Sequence, residues 1–224
     1  MKPSVLWPAA LATVLLGCGH STEHFVLPDR VTDFSALYES NCSGCHGRDG
    51  SHGAARPLND PNYLALVGKE KLRDVVANGV PRTAMPAFAK NAGGSLTDQQ
   101  INVLTDQMEA RWSRPLDLQI VLPPYSAELG DRKRGEEVFR GLCSKCHGES
   151  GIGGSLVDAA FLTLASDQSL RITVIAGRVD RGMPDWRSHS PGPAMTPQQV
   201  SDVVAWLSAH RANSVKARGE TKLP

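Results

Sequence analysis

Apolar residues along this chain recur at helical rather than strand spacing. Phe34, Leu37 and Tyr38 stand at i, i+3 and i+4, after the candidate caps Thr32 and Asp33. Val138, Phe139 and Leu142 form the same kind of stripe in the second half of the chain. A later helix in each half opens with a capping box, Thr97 to Gln100 and Thr196 to Gln199. Pro197 takes the first helical position, where a missing N–H costs nothing. No stretch alternates long enough to build a sheet, so the pattern predicts an all-α protein. The short alternation Leu116, Leu118, Ile120, Leu122 falls among prolines and predicts a linker lying extended on a domain surface.

The helical pattern is written twice. Cys42-Ser43-Gly44-Cys45-His46-Gly47 returns as Cys143-Ser144-Lys145-Cys146-His147-Gly148, 101 residues later. Leu72-Arg73, Gly79 and Met85-Pro86 return as Leu170-Arg171, Gly177 and Met183-Pro184, now 98 residues later, so the first half carries three extra residues in the loop between. Leu96 to Ile101 then matches Met195 to Val200. Three matched blocks in one order mark a duplication. The expected organisation is two tandem helical domains, 33–112 and 131–211, joined by a Pro-rich linker over 113–130 with Pro115, Pro123 and Pro124. Domains this small with only 5% aromatic residues have thin cores. A large apolar cofactor is expected to complete each interior.

The termini read as an address and a tail. Lys2 precedes an apolar run from Val5 to Leu16, too short to span a bilayer and typical of an export signal over 1–17. Leu15-Leu16-Gly17-Cys18 resembles a bacterial lipobox, which implies that Cys18 is lipidated and becomes the mature N-terminus. The expected location is exported, on the periplasmic side, anchored to a membrane by lipid. Gly19 rather than Asp follows the cysteine, which leaves inner and outer membrane both open. Residues 18–32 are polar and read as a tether, and 212–224 as a polar tail expected to fray. Net charge is +1, and the domains are balanced, with 9 Lys/Arg against 11 Asp/Glu over 19–112 and 10 against 9 over 131–211. No basic face for nucleic acid is present.

The cysteines carry the chemistry. Two thiols must reach two vinyl groups while an imidazole reaches iron, and Cys at i and i+3 with His at i+4 puts all three on one helical face. Cys42, Cys45 and His46 meet that requirement, as do Cys143, Cys146 and His147. The expected cofactors are two haem c groups with their iron. A zinc site would use both cysteine pairs together, and a thioredoxin-like dithiol would need a βαβ context. The fifth cysteine is Cys18, so none is left for a disulfide. The sixth iron ligand is expected from Met85, 39 residues after His46, and Met183, 36 after His147, each before Pro and after the shared Gly. A thioether is a soft neutral ligand that favours ferrous iron. Met108 and Met195 lack that repeated setting. His52 and His189 have no counterpart in the other half and read as surface residues, with His20, His24 and His210.

On these motifs both halves resemble class I cytochrome c domains, and the chain is similar to the tandem di-haem cytochromes c of bacterial respiratory chains. The resemblance implies an electron carrier between a redox-protein donor and acceptor, with no catalytic residues. Two other readings stay open: a haem enzyme of the di-haem peroxidase or thiosulfate-oxidising kind, and a fixed electron-transfer subunit of a larger membrane oxidoreductase complex. In that family a Gly and an aromatic four residues on let the first helix cross the last closely. Gly135 and Phe139 match, whereas the first domain has Phe34 and Tyr38. The family also orients its imidazole with a loop carbonyl, expected near Pro57-Leu58 and Gly154-Ser155-Leu156. Phe88 and Trp186 hold equivalent places after the two methionines, at the expected haem edge, and Trp206 is expected in the core.

Overall fold

The first helix, α1 (Phe34–Asn41), starts where the Asp33 carboxylate accepts the N–H of Ala36 at 2.8 Å. The computed structural model of the protein describes residues 26–219, except 82, 117–120, 149 and 188–192. Cys18, His20, His24 and His189 lie outside the described residues, as do Leu118 and Ile120 of the linker. After a break at Cys42 comes the single turn α2 (Ser43–His46). Helix α3 (Pro61–Asn78) opens under the Asp60 carboxylate, with Pro61 in the first turn, and breaks at Gly68. Helix α4 (Asp98–Trp112) carries both halves of the Thr97–Gln100 capping box.

The second half repeats this order. Helix α5 (Arg132–Val138) runs through a π turn (Phe139–Cys143) into α6 (Ser144–His147). Helices α7 (Ala159–Leu164) and α8 (Asp167–Ala176) correspond to the two parts of α3, with Ala165 and Ser166 standing where Gly68 breaks the first copy. The last helix, α9 (Pro197–Gly219), continues past Arg211 into the segment expected to fray. Two isolated bridges, Ala89 with Leu96 and Arg178 with Met183, are the β-type pairings among the described residues, and the fold is all-α. No helix of the described residues is long and apolar enough to cross a membrane.

The predicted stripe on α1 is the buried one. Phe34, Leu37 and Tyr38 pack with Ile101, Leu104 and Met108 of α4, all three of them fully buried. Trp112 closes that contact edge-on, 6.0 Å from Phe34 and 5.4 Å from Tyr38. In the second half the crossing is tighter. A Cβ on Gly135 would lie 2.0 Å from the Asp202 carbonyl oxygen of α9. Phe139 packs on Trp206 at 4.3 Å. Aromatic spacers separate the helices in the first domain, and backbone meets backbone in the second.

Segments read as connectors are held down. The Gln100 amide donates to the carbonyls of Pro28 and Val31 at 2.8 and 3.0 Å, and Lys90 pairs with Asp29, so the end of the tether docks on the first domain. In the linker Pro124 accepts from Arg171 Nε at 2.9 Å and Tyr125 accepts from Gln168 at 2.7 Å. The domains also meet directly. Leu66 of the first packs with Val174 and Ile175 of the second, while Ala176 joins the first domain's core.

Candidate functional site

Both Cys-x-x-Cys-His segments take the same backbone course. Cys42 and Cys143 have nearly equal torsions, φ −120° and −115°, at the junction into the short helix. Ser43 and Ser144 each turn a hydroxyl back onto the carbonyl four residues earlier, at 2.8 and 2.6 Å, which bends the chain there. The imidazoles are fixed from behind. His46 Nδ1 donates to the Arg56 carbonyl at 2.7 Å, and His147 Nδ1 donates to the Gly154 carbonyl at 3.0 Å. With Nδ1–H so engaged, the free Nε2 lone pair is the one available to a metal. Both carbonyls fall where the sequence placed a loop carbonyl, beside Pro57 and Ser155.

Burial shapes the electrostatics. His46 is held below the ordinary imidazole range by burial first, against the Arg56 carbonyl bond and with the help of the Arg178 charge from the other domain. This favours the neutral imidazole, the form that can bind a metal. Burial, with the paired cysteine, pushes the Cys42 thiol up to about 12 and the Cys143 thiol up to about 11. A redox-active dithiol has its nucleophilic thiol lowered, so these pairs are not built as thioredoxin-like centres.

In the first domain the predicted residues share one cavity of about 420 Å³, within the ~300–1,000 Å³ of cofactor sites. Cys42, Cys45, His46 and Met85 line it together, with Phe88 and Met108 among its apolar walls. A flat apolar macrocycle attached through two thiols fits such a lining, which places sulfur and imidazole donors in a largely hydrocarbon surface. Met108 is fully buried on α4 and also belongs to the core cluster.

Each methionine is seated by its glycine. Gly79 (φ +70°) and Gly177 (φ +74°) end α3 and α8 in a backbone conformation that a side chain would strain. A Cβ on Gly79 would come 2.7 Å from the Met85 carbonyl oxygen, and one on Gly177 2.8 Å from that of Met183. The shared Gly of the sequence repeat therefore lets the methionine loop lie against a helix end. Met183 is further pinned by two backbone bonds with Arg178, both 3.0 Å.

Other expected residues separate. Trp186 is buried in the second domain's core with Arg187 4.9 Å over its ring, whereas Phe88 lines the first domain's cavity. Trp206 is half-buried and packs against the core rather than within it, His52 is exposed as expected, and His210, expected at the surface, is half-buried and meets Trp206 edge-on. The sequence reading missed the second domain's share in the first site: Phe161, Leu164 and Ile172 also line the cavity. No local pattern links these residues to His46, so only the folded chain reveals them.

Among known proteins, the family described as Cytochrome C oxidase, cbb3-type, subunit III matches this chain twice, over residues 29–106 and 130–207. The cbb3-type cytochrome c oxidase subunit FixP of Azorhizobium caulinodans is 24% identical over 183 residues, covering 76% of this chain and 56% of that protein. The cbb3-type cytochrome c oxidase subunit CcoP of Azospirillum sp. (strain B510) is 24% identical over 172 residues, covering 67% and 54%. The quinohemoprotein alcohol dehydrogenase ADH-IIG of Pseudomonas putida is 32% identical over 100 residues, 44% of this chain and 13% of that protein. The chain thus spans about half the length of the two oxidase subunits and a smaller part of the dehydrogenase.

Proposed function

This chain belongs to the cytochrome c oxidase, cbb3-type, subunit III family and is a tandem di-haem cytochrome c, and from that premise we propose that it relays single electrons between redox proteins through two His/Met-ligated sites. The domains are taken as 33–112 and 131–211. Cys42 and Cys45 attach one haem and Cys143 and Cys146 the other, with His46 and Met85, and His147 and Met183, as the axial pairs. The observation that carries the first site is the cavity lined jointly by Cys42, Cys45, His46 and Met85, and the second is supported by its matching backbone course, imidazole–carbonyl bond and glycine-seated methionine loop.

A bound haem supplies an iron that gains or loses one electron. The chain's residues decide how readily. A neutral imidazole whose Nδ1–H is held by a carbonyl would donate strongly to the iron, and a neutral thioether as the second protein ligand would favour the ferrous state. With an imidazole and a thioether of the chain both holding the iron, no place would remain for a substrate, which favours electron transfer over catalysis. Apolar walls exclude water, which limits the reorganisation that accompanies each electron.

The oxidase-subunit names of two relatives favour a fixed place in a membrane complex over a freely swinging carrier. We place the protein on the exported side, held by lipid on Cys18. Intact mass of the mature protein tests the anchor: a chain starting elsewhere without acyl groups removes it. Redox titration with optical and magnetic detection tests the sites. Two low-spin haems are expected, each with a sulfur-to-iron charge-transfer band. A persistent high-spin haem, rapid peroxide turnover or a single haem would overturn the reading.

A further inference from the structure

We propose that Arg56 is a positioning residue that ties the imidazole of the first haem site to the methionine loop of the second. The inference rests on the assignment of His46 and Met183 as ligands. Its ground is that one residue touches both ends. The main-chain carbonyl of Arg56 accepts His46 Nδ1–H at 2.7 Å. Its guanidinium crosses into the other domain, where Nη2 donates to Thr173 Oγ1 at 2.5 Å and Nη1 to the Gly177 carbonyl at 3.2 Å.

Neither acceptor is incidental. The Thr173 hydroxyl spends its proton on the Ser169 carbonyl at 2.8 Å, so toward Arg56 it can only accept. Gly177 is the residue on which Met183 and Pro184 rest, with no room for a Cβ between. A pull on the Gly177 carbonyl is therefore a pull on the peptide that seats Met183. Tyr63 backs the guanidinium, its ring centroid 5.5 Å away, and limits its other positions.

The second domain shows what the side chain is not for. Gly154 performs there the main-chain role of Arg56, accepting His147 Nδ1–H, and it has no side chain. Orienting an imidazole does not require the guanidinium. The tie therefore has no mirror image: it joins the imidazole side of the first site to the methionine loop of the second, with no converse link through Gly154. A planar fork that reaches two acceptors at once suits this role, and an ammonium does not.

The test uses the full-length, haem-loaded protein and reads both sites. In Arg56→Gln, the ferrous-to-ferric ratio of the first haem at fixed potential should fall about threefold or more. The charge-transfer band of the second haem should shift or weaken in the same variant. Amide hydrogen exchange over 173–187 should accelerate. Arg56→Lys should restore part of the first haem's ratio without restoring exchange protection. If Arg56→Gln misfolds, Thr173→Val removes one acceptor alone and should move both sites in the same sense, less strongly. A response confined to one haem, or unchanged exchange over 173–187, overturns the tie. Absence of the second charge-transfer band in the unmodified protein overturns the ligand assignment instead, and this inference with it.

Discussion

Gly135 lies so close to Asp202 that a Cβ on the glycine would stand 2.0 Å from the aspartate's carbonyl oxygen. Helix α5 reaches α9 backbone to backbone only because that position is empty. Gly135→Ala must push the helices apart and disturb the Phe139–Trp206 contact beside it. The expected loss is about 1–3 kcal/mol, read as a lower thermal midpoint. The first domain has Phe34 at the equivalent place and should keep its spectrum.

The same aspartate makes stability depend on pH. Its buried carboxylate accepts from the Asp131 N–H at 2.7 Å, Arg134 at 2.8 and 3.0 Å, and Gln198 at 2.8 Å. Burial pushes the carboxyl up, but these bonds together outweigh it and hold it below the ordinary range. Folding then favours the charged form, so the stabilisation is present at neutral pH and is lost as pH falls through the lowered folded value. Asp202→Asn should cost about 1–2 kcal/mol at neutral pH. Denaturant midpoints of variant and parent should converge below about pH 4.

Met183→Ala should leave the second haem covalently bound while removing its sulfur-to-iron charge-transfer band. Its potential should fall by a sizeable part of the ~0.8 V that axial ligands command. Met85→Ala should do the same to the first haem. An unchanged band and potential in either variant would show that the methionine is not the ligand.

Gly79→Ala and Gly177→Ala act on the same methionines indirectly. Each places a side chain at positive φ and within 2.7 Å of the Met-Pro backbone. The strain is about 1–3 kcal/mol per site. The chain can relieve it by moving the methionine loop, so the charge-transfer band of the affected haem should weaken while haem content stays constant. Loss of haem from the purified protein would contradict this.

Local chemistry made much of the site legible. The Cys-x-x-Cys-His spacing, the capping boxes and the stripe of Phe34, Leu37 and Tyr38 act within one or two turns, where sequence separation and distance in space are tied by helix geometry. The Gly79/Met85 and Gly177/Met183 pairs span longer loops and were visible because duplication wrote them twice. The polar tether was harder to read. Its last residues dock because Gln100, 72 positions beyond Pro28, turns its amide toward them.

The amino-acid sequence by itself determined the all-α class, the duplication and the residues expected to hold two haems, because each depends on short-range periodicity or on a repeated motif. The tertiary structure alone decided how the halves meet: Arg56 on Thr173 across 117 positions, Phe161 and Leu164 at the edge of the first cavity, and Gly135 against Asp202. Those contacts arise from how two apolar faces settle against each other, and packing of that kind leaves no periodic mark along the chain.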